Sequence, residues 1–150
     1  MHTPRRLVLA AAVTVALSAC SSMPSMSSMM GSNNVKLGGA LTGAQEVPPV
    51  SSGGNGTLEA TFDKGTRKLA YTVTYSGLTG PATGAHFHGP AAMGTNAGVV
   101  LPFANPASPI KGEATLTEAQ AADLLAGRWY VNVHTAAHPG GEIRSQVTTR

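Results

Sequence analysis

The residues of this chain best equipped for chemistry are its histidines. There are five. His2 lies in the N-terminal segment, and the other four form two clusters, His86-Phe87-His88 and His134-Thr135-Ala136-Ala137-His138. In a β-strand, residues i and i+2 share a face and stand about 6.5–7 Å apart. His86 and His88 can therefore aim at one point while Phe87 packs into a core. His134 ends the run Trp129-Tyr130-Val131-Asn132-Val133 and shares parity with Tyr130 and Asn132. Pro139, Gly140 and Gly141 exclude a helix after His138. If the two strand ends are neighbours, three or four imidazoles converge.

Imidazole suits Cu²⁺ and Zn²⁺. The candidate metal ligands are His86, His88, His134 and His138, with copper favoured and zinc as the alternative. No thiolate is at hand, which disfavours a closed structural zinc site. Glu142 is the nearest carboxylate to act as acceptor for a ligand's other ring nitrogen. A shared ion needs the His86 and His134 rings within about 8 Å of each other, given metal–nitrogen bonds near 2.0–2.1 Å. The plainer alternative is a set of loop histidines bonded to backbone, with no metal. Other catalytic routes lack support: there is no G-x-S-x-G elbow, Walker-A run or G-x-G-x-x-G run. Asp63 and Asp123 fall in a hairpin turn and a helix, where ordinary structural roles suffice.

The elements that must position these residues are strands. From Val35 to Val147 the apolar pattern alternates with period two. Strands are predicted at 35–41, 57–62, 68–75, 83–88, 98–103, 110–116, 128–134 and 141–147. Leu58, Ala60 and Phe62 point one way, as do Leu69, Tyr71, Val73 and Tyr75. Asp63-Lys64-Gly65-Thr66 reads as a hairpin turn, with Gly65 available for positive φ. One helix is predicted at 119–126. Thr117 and Gln120 form a capping box ahead of it, Gly127 follows as terminator, and Leu124 and Leu125 pin it on the sheet. The fold class is all-β: a Greek-key β-sandwich, immunoglobulin-like or superoxide-dismutase-like, with one short helix.

The N-terminal residues read as an export signal. Arg5 and Arg6 precede an apolar run, Leu7 to Leu17, too short for the roughly 20 residues of a spanning helix. Leu17-Ser18-Ala19-Cys20 resembles a bacterial lipobox, and Cys20 is the only cysteine of the 150 residues. This implies a signal peptide over 1–19 and an acylated Cys20 inserted in a lipid bilayer. Residues 20–34 form a Ser/Met-rich tether, and the domain spans 35–150. Ser21, rather than Asp, favours outer-membrane sorting, with the domain in the periplasm or at the cell surface. Met23, Met26, Met29 and Met30 are thioethers suited to Cu(I). Arg5 and Arg6 are two of ten basic residues, which leaves eight against seven acidic ones. The formal charge of +3 is thus mostly the signal's, and it gives no case for nucleic acid.

Three stretches carry a family likeness: Gly43-Ala44-Gln45-Glu46-Val47-Pro48-Pro49, His86-Phe87-His88-Gly89-Pro90, and Tyr130-Val131-Asn132-Val133-His134-Thr135 through Gly140-Gly141-Glu142-Ile143-Arg144. In that order they resemble the CHRD domain, over about Val35 to Val147. The resemblance implies an extracytoplasmic β-sandwich and a binding role rather than a known activity. The HxH strand, distant His and late Arg are also similar to the copper site of copper–zinc superoxide dismutases. Here the disulfide cysteines are absent, and four His cannot build separate copper and zinc sites. A copper-only site, with Arg144 placed to attract an anion, is the most that likeness implies. The expected function is a membrane-tethered binding module that coordinates copper. The alternatives are a dismutase-like enzyme and a metal-free module for an envelope protein partner.

Overall fold

The computed structural model describes residues 32–150. The predicted signal, Cys20 and the tether methionines Met23, Met26, Met29 and Met30 lie outside the described residues. Among those described, no helix is long and apolar enough to cross a membrane.

Period-two alternation yields the strands, all paired antiparallel. They are β1 (Asn34–Thr42), β2 (Asn55–Asp63), β3 (Lys68–Ser76), β4 (Ala82–His88), β5 (Val99–Pro102), β6 (Ile110–Thr115), β7 (Tyr130–Thr135), β8 (Ile143–Gln146) and β9 (Thr148–Thr149). The order across the sheet is β5-β4-β7-β8-β1-β2-β3-β6, with β9 beside β1. The sheet curls into two facing halves. One is β1-β2-β3-β6 and the other β5-β4-β7-β8, joined where Thr42 pairs with Arg144. At this seam β1 must approach β8 closely, and Gly39 permits it: a Cβ there would stand 2.7 Å from the Gln146 carbonyl oxygen. The crossovers from β3 to β4, from β5 to β6 and from β6 to β7 pass between halves, as a sandwich-like fold requires.

The apolar core fills the space between the halves. Phe87 and Val131 of one half meet Leu58, Leu69 and Val73 of the other in one cluster. Tyr71 sets its ring edge on Phe87 at 5.2 Å and stacks on Phe103 at 4.8 Å. Trp129 closes the same group at 5.7 Å from Phe87. Such pairs add about 0.5–1.5 kcal/mol each beyond area burial. Tyr75, expected inward, is half-buried and donates its hydroxyl to the Pro106 carbonyl.

The helix α1 (Glu118–Leu125) starts on the predicted capping box and ends before Gly127, whose φ is +68°. Leu124 is its buried anchor, with Leu125 packed partly against the core. The β2–β3 turn corrects one expectation. The left-handed residue is Arg67, at φ +55°, and not Gly65. The Asp63 carboxylate accepts from the Gly65 and Thr66 amides at 2.7 and 3.1 Å. That capping holds the first turn residues right-handed and moves the left-handed step to the end of a four-residue loop. The predicted last strand also divides. Strand geometry begins only at Ile143, after Gly141 at φ +126°, and breaks at Val147 between β8 and β9.

Candidate metal centre

The half built from β4, β7 and β8 is covered on both faces. Ala85, Phe87, Val131 and Val133 face the apolar core. The opposite parity carries His86 and His88 on β4, Tyr130, Asn132 and His134 on β7, and Arg144 and Gln146 on β8. Register sets these in rows. His86 pairs with Asn132, which pairs with Arg144; His88 pairs with Tyr130, which pairs with Gln146; Gly84 pairs with His134. Two irregular segments, around Glu46 and across 91–97, roof this polar face. Asn96 ties them together by donating to the Val47 carbonyl at 2.9 Å.

The structure brings three of the four predicted histidines together. The ligating atoms of His86, His88 and His134 all lie within 4.8 Å of one another. His86 Nδ1 stands 3.2 Å from His134 Nε2, and the two ring centroids are 4.9 Å apart. Two nitrogens on one tetrahedral ion at 2.0–2.1 Å would be about 3.3 Å apart, so this pair already has ligand spacing. His138 is not part of the trio. It sits in the turn after β7, where its amide donates to the Thr135 carbonyl and its carbonyl accepts from Gly141.

The second nitrogens of two rings are anchored. His88 Nδ1 meets the Ala97 carbonyl at 3.0 Å, and His134 Nδ1 meets the Pro139 carbonyl at 2.9 Å. Both Nε2 atoms are thereby turned to the same place, a common arrangement for metal-ligating histidine. The His88 ring also stacks flat on Tyr130, at 4.7 Å and 1°. Burial pushes the His86 and His88 rings below the ordinary histidine range, and the neighbouring His134 adds to it in both. The Ala97 carbonyl and Asn132 partly offset this at His88. Both rings are therefore neutral near pH 7, which is the form that binds metals.

The carboxylate near this site is not the one expected. Glu142 is fully buried, but it accepts from Ser52, from the Thr79 amide and hydroxyl, and from Thr135. No histidine is among its partners, and backbone carbonyls take the anchoring role instead. Burial works to raise its pKa, yet those hydrogen bonds outweigh it and hold the carboxyl at about 2. Arg144 is also placed differently from the anion-attracting role. It is 1% exposed, with its guanidinium 3.4 Å from the Tyr130 ring centroid. Its terminal nitrogens donate to Asn96 and to the Thr95 carbonyl. It fastens the roof and is not presented to solvent.

Sequence reasoning missed two residues here. Asn132 places Oδ1 3.0 Å from His88 Nε2 and 2.9 Å from His134 Nε2. Glu46, 5% exposed, lies behind it. Burial drives the Glu46 carboxyl up to about 7, and Arg144 and the Asn132 amide reverse only part of that. Asn132 was visible through its parity with His134. Nothing local in the sequence places Glu46 there, since it arrives from a loop far away in the chain. Gly141 makes the meeting possible: a Cβ on it would collide with the Glu46 carboxyl and stand 2.7 Å from Asn132 Nδ2. A cavity of about 410 Å³ opens beside Glu46 and Arg144. The larger groove, about 680 Å³, lies on the other half among Lys36, Lys111 and Arg150. It is remote from the histidines.

Neither a curated protein nor a solved structure matches the chain. Residues 37–147 do match the CHRD domain. That span holds Glu46, the His86/His88 strand, the Asn132/His134 strand and Arg144, the residues that build this face, and the chain belongs to the CHRD domain family.

Proposed function

We propose that this protein is a membrane-tethered, extracytoplasmic binding module that holds one transition-metal ion, copper ahead of zinc, on His86, His88 and His134. The convergence of the three ligating nitrogens within 4.8 Å carries the reading. The ligand chemistry supports copper, because imidazole sites bind Cu²⁺ more tightly than the other divalent first-row ions. His86 and His134 are half-buried, so an ion has a path in, while buried His88 and its Tyr130 stack give the site a fixed wall. The tether rests on the sequence: a signal-like run, Cys20 in a lipobox-like setting, and a Ser/Met-rich linker. Three acyl chains on Cys20 would hold it stably at a bilayer, in the outer membrane by the Ser21 rule, and two already suffice.

Anaerobic titration with Cu(I), Cu(II) and Zn(II) tests the metal reading. The expected result is one ion per chain, tighter than about 1 μM, with affinity lost in the His86→Ala/His88→Ala double variant. Binding weaker than that, or unchanged in the double variant, contradicts it. Labelled palmitate incorporation, abolished by Cys20→Ser, tests the anchor.

A further inference from the structure

The carboxamide of Asn132 occupies the spot to which two imidazole nitrogens point. Its Oδ1 is 3.0 Å from His88 Nε2 and 2.9 Å from His134 Nε2. On the far side of each ring, Nδ1 faces a backbone carbonyl, Ala97 at 3.0 Å and Pro139 at 2.9 Å. A carbonyl oxygen only accepts, so each neutral ring carries its proton on Nδ1 and a lone pair on Nε2. An amide oxygen facing two lone pairs is repulsive.

Two settings of the carboxamide resolve the conflict. With nitrogen inward, its two N–H bonds donate one to each Nε2, and at His134 this donation is shared with His86 Nδ1, 3.2 Å away. With oxygen inward, a cation lies between the lone pairs and Oδ1, and Oδ1 becomes a fourth donor. We propose that Asn132 does both. It bridges His88 and His134 in the metal-free protein, then inverts its carboxamide to supply the fourth, oxygen ligand when the ion enters. This rests on the reading of the three histidines as metal ligands.

The surroundings suit either setting. The outer end of the carboxamide faces the Glu46 carboxyl, whose buried Oε1 has no hydrogen-bond partner. A carboxyl group offers both donor and acceptor chemistry, so it can meet either end of an amide. Gly141 contributes only backbone on that side, and a Cβ would fill the space. Three imidazoles and one amide oxygen make a four-coordinate set fitted to a borderline divalent ion, Zn(II) or Cu(II). Soft Cu(I), which prefers sulfur, gains little from the oxygen. The site thus selects the divalent state.

Zinc is the probe, because it is diamagnetic and leaves NMR signals sharp. In the metal-free protein the Asn132 side-chain NH₂ protons should show NOEs to ring protons of both His88 and His134. With one equivalent of zinc those NOEs should vanish and be replaced by NOEs to Glu46 and Gly141. Persistence of the ring NOEs while the imidazole signals shift overturns the inversion alone. Imidazole signals that do not respond to zinc overturn both the inversion and the metal reading. Absence of the ring NOEs before zinc is added overturns the bridging role. Asn132→Leu should weaken zinc at least about tenfold, and Asn132→Asp should retain zinc binding. Equal zinc affinity in Asn132→Leu and wild type also overturns the oxygen-ligand assignment.

Discussion

Replacing Glu142 with Gln should be among the costliest single changes to this domain, although it alters one atom. Its two carboxylate oxygens accept four hydrogen bonds. Ser52 Oγ and the Thr79 amide reach Oε1 at 2.6 and 2.8 Å, and the Thr79 and Thr135 hydroxyls reach Oε2 at 2.8 and 2.6 Å. These link the loop before β2, the loop before β4 and the end of β7. A hydrogen bond to a charged group contributes about 1.5–3 kcal/mol, against about 1 for a neutral pair. Gln keeps one acceptor oxygen, where two bonds each weaken by about 1 kcal/mol, and puts an NH₂ at the other, where the Thr79 and Thr135 hydroxyls must turn to accept; with the coupling among these bonds, the loss is about 3 kcal/mol. That is a large part of the about 5–15 kcal/mol of an ordinary domain. Its thermal midpoint should fall by roughly 10–15 °C.

The pH dependence carries the same signature. The Glu142 carboxyl is held at about 2, below its unfolded value. Its contribution is therefore present above about pH 4.5 and is lost as pH falls toward 2. Urea denaturation of wild type and Glu142→Gln at pH 7, 5, 4 and 3 reads both effects. The gap should be near 3 kcal/mol at pH 7 and should narrow steadily below pH 5. A gap under about 1 kcal/mol at pH 7, or one that stays constant down to pH 3, refutes the reasoning.

Glu46 should behave in the opposite sense. Burial raises its carboxyl to about 7, so the stability of the neutral form is present below about pH 4.5 and declines as pH rises through 7. The cavity beside Glu46 opens to solvent, which brings the change down to about 2 kcal/mol. Glu46→Gln should flatten the stability profile between pH 5 and 8, and an unaltered slope contradicts the assignment. Gly141→Ala should cost about 2–4 kcal/mol in urea denaturation, because its φ is +126° and the added methyl meets Glu46 and Asn132. A loss under about 1 kcal/mol means that the close approach is not required.

The strands were legible because Leu58, Phe62, Leu69 and Val73 alternate with polar neighbours, and the helix because Thr117 and Gln120 are three apart. The His86/His88 pair followed from strand periodicity, and His134 from its parity with Tyr130. The pairing of β4 with β7 was not readable, since register between distant strands leaves no local trace. Glu142 is the carboxylate nearest the histidines along the chain, and nearness in sequence does not fix direction. Gly141, at φ +126°, turns the chain just before it, and the side chain joins Thr79 and Thr135 instead. Glu46 lies within the family-like stretch 43–49. A buried acid in a Pro-flanked loop says nothing by itself about which strand it will cover.

The most direct measurement on the site is X-ray absorption at the zinc or copper edge of the protein loaded with one equivalent of Zn(II) or Cu(II). The expected shell is three imidazole nitrogens and one oxygen donor near 2.0–2.1 Å for zinc, reduced to fewer imidazoles in His134→Ala. A shell with sulfur scattering, with one imidazole or none, or unchanged by His134→Ala would contradict the His86/His88/His134 centre.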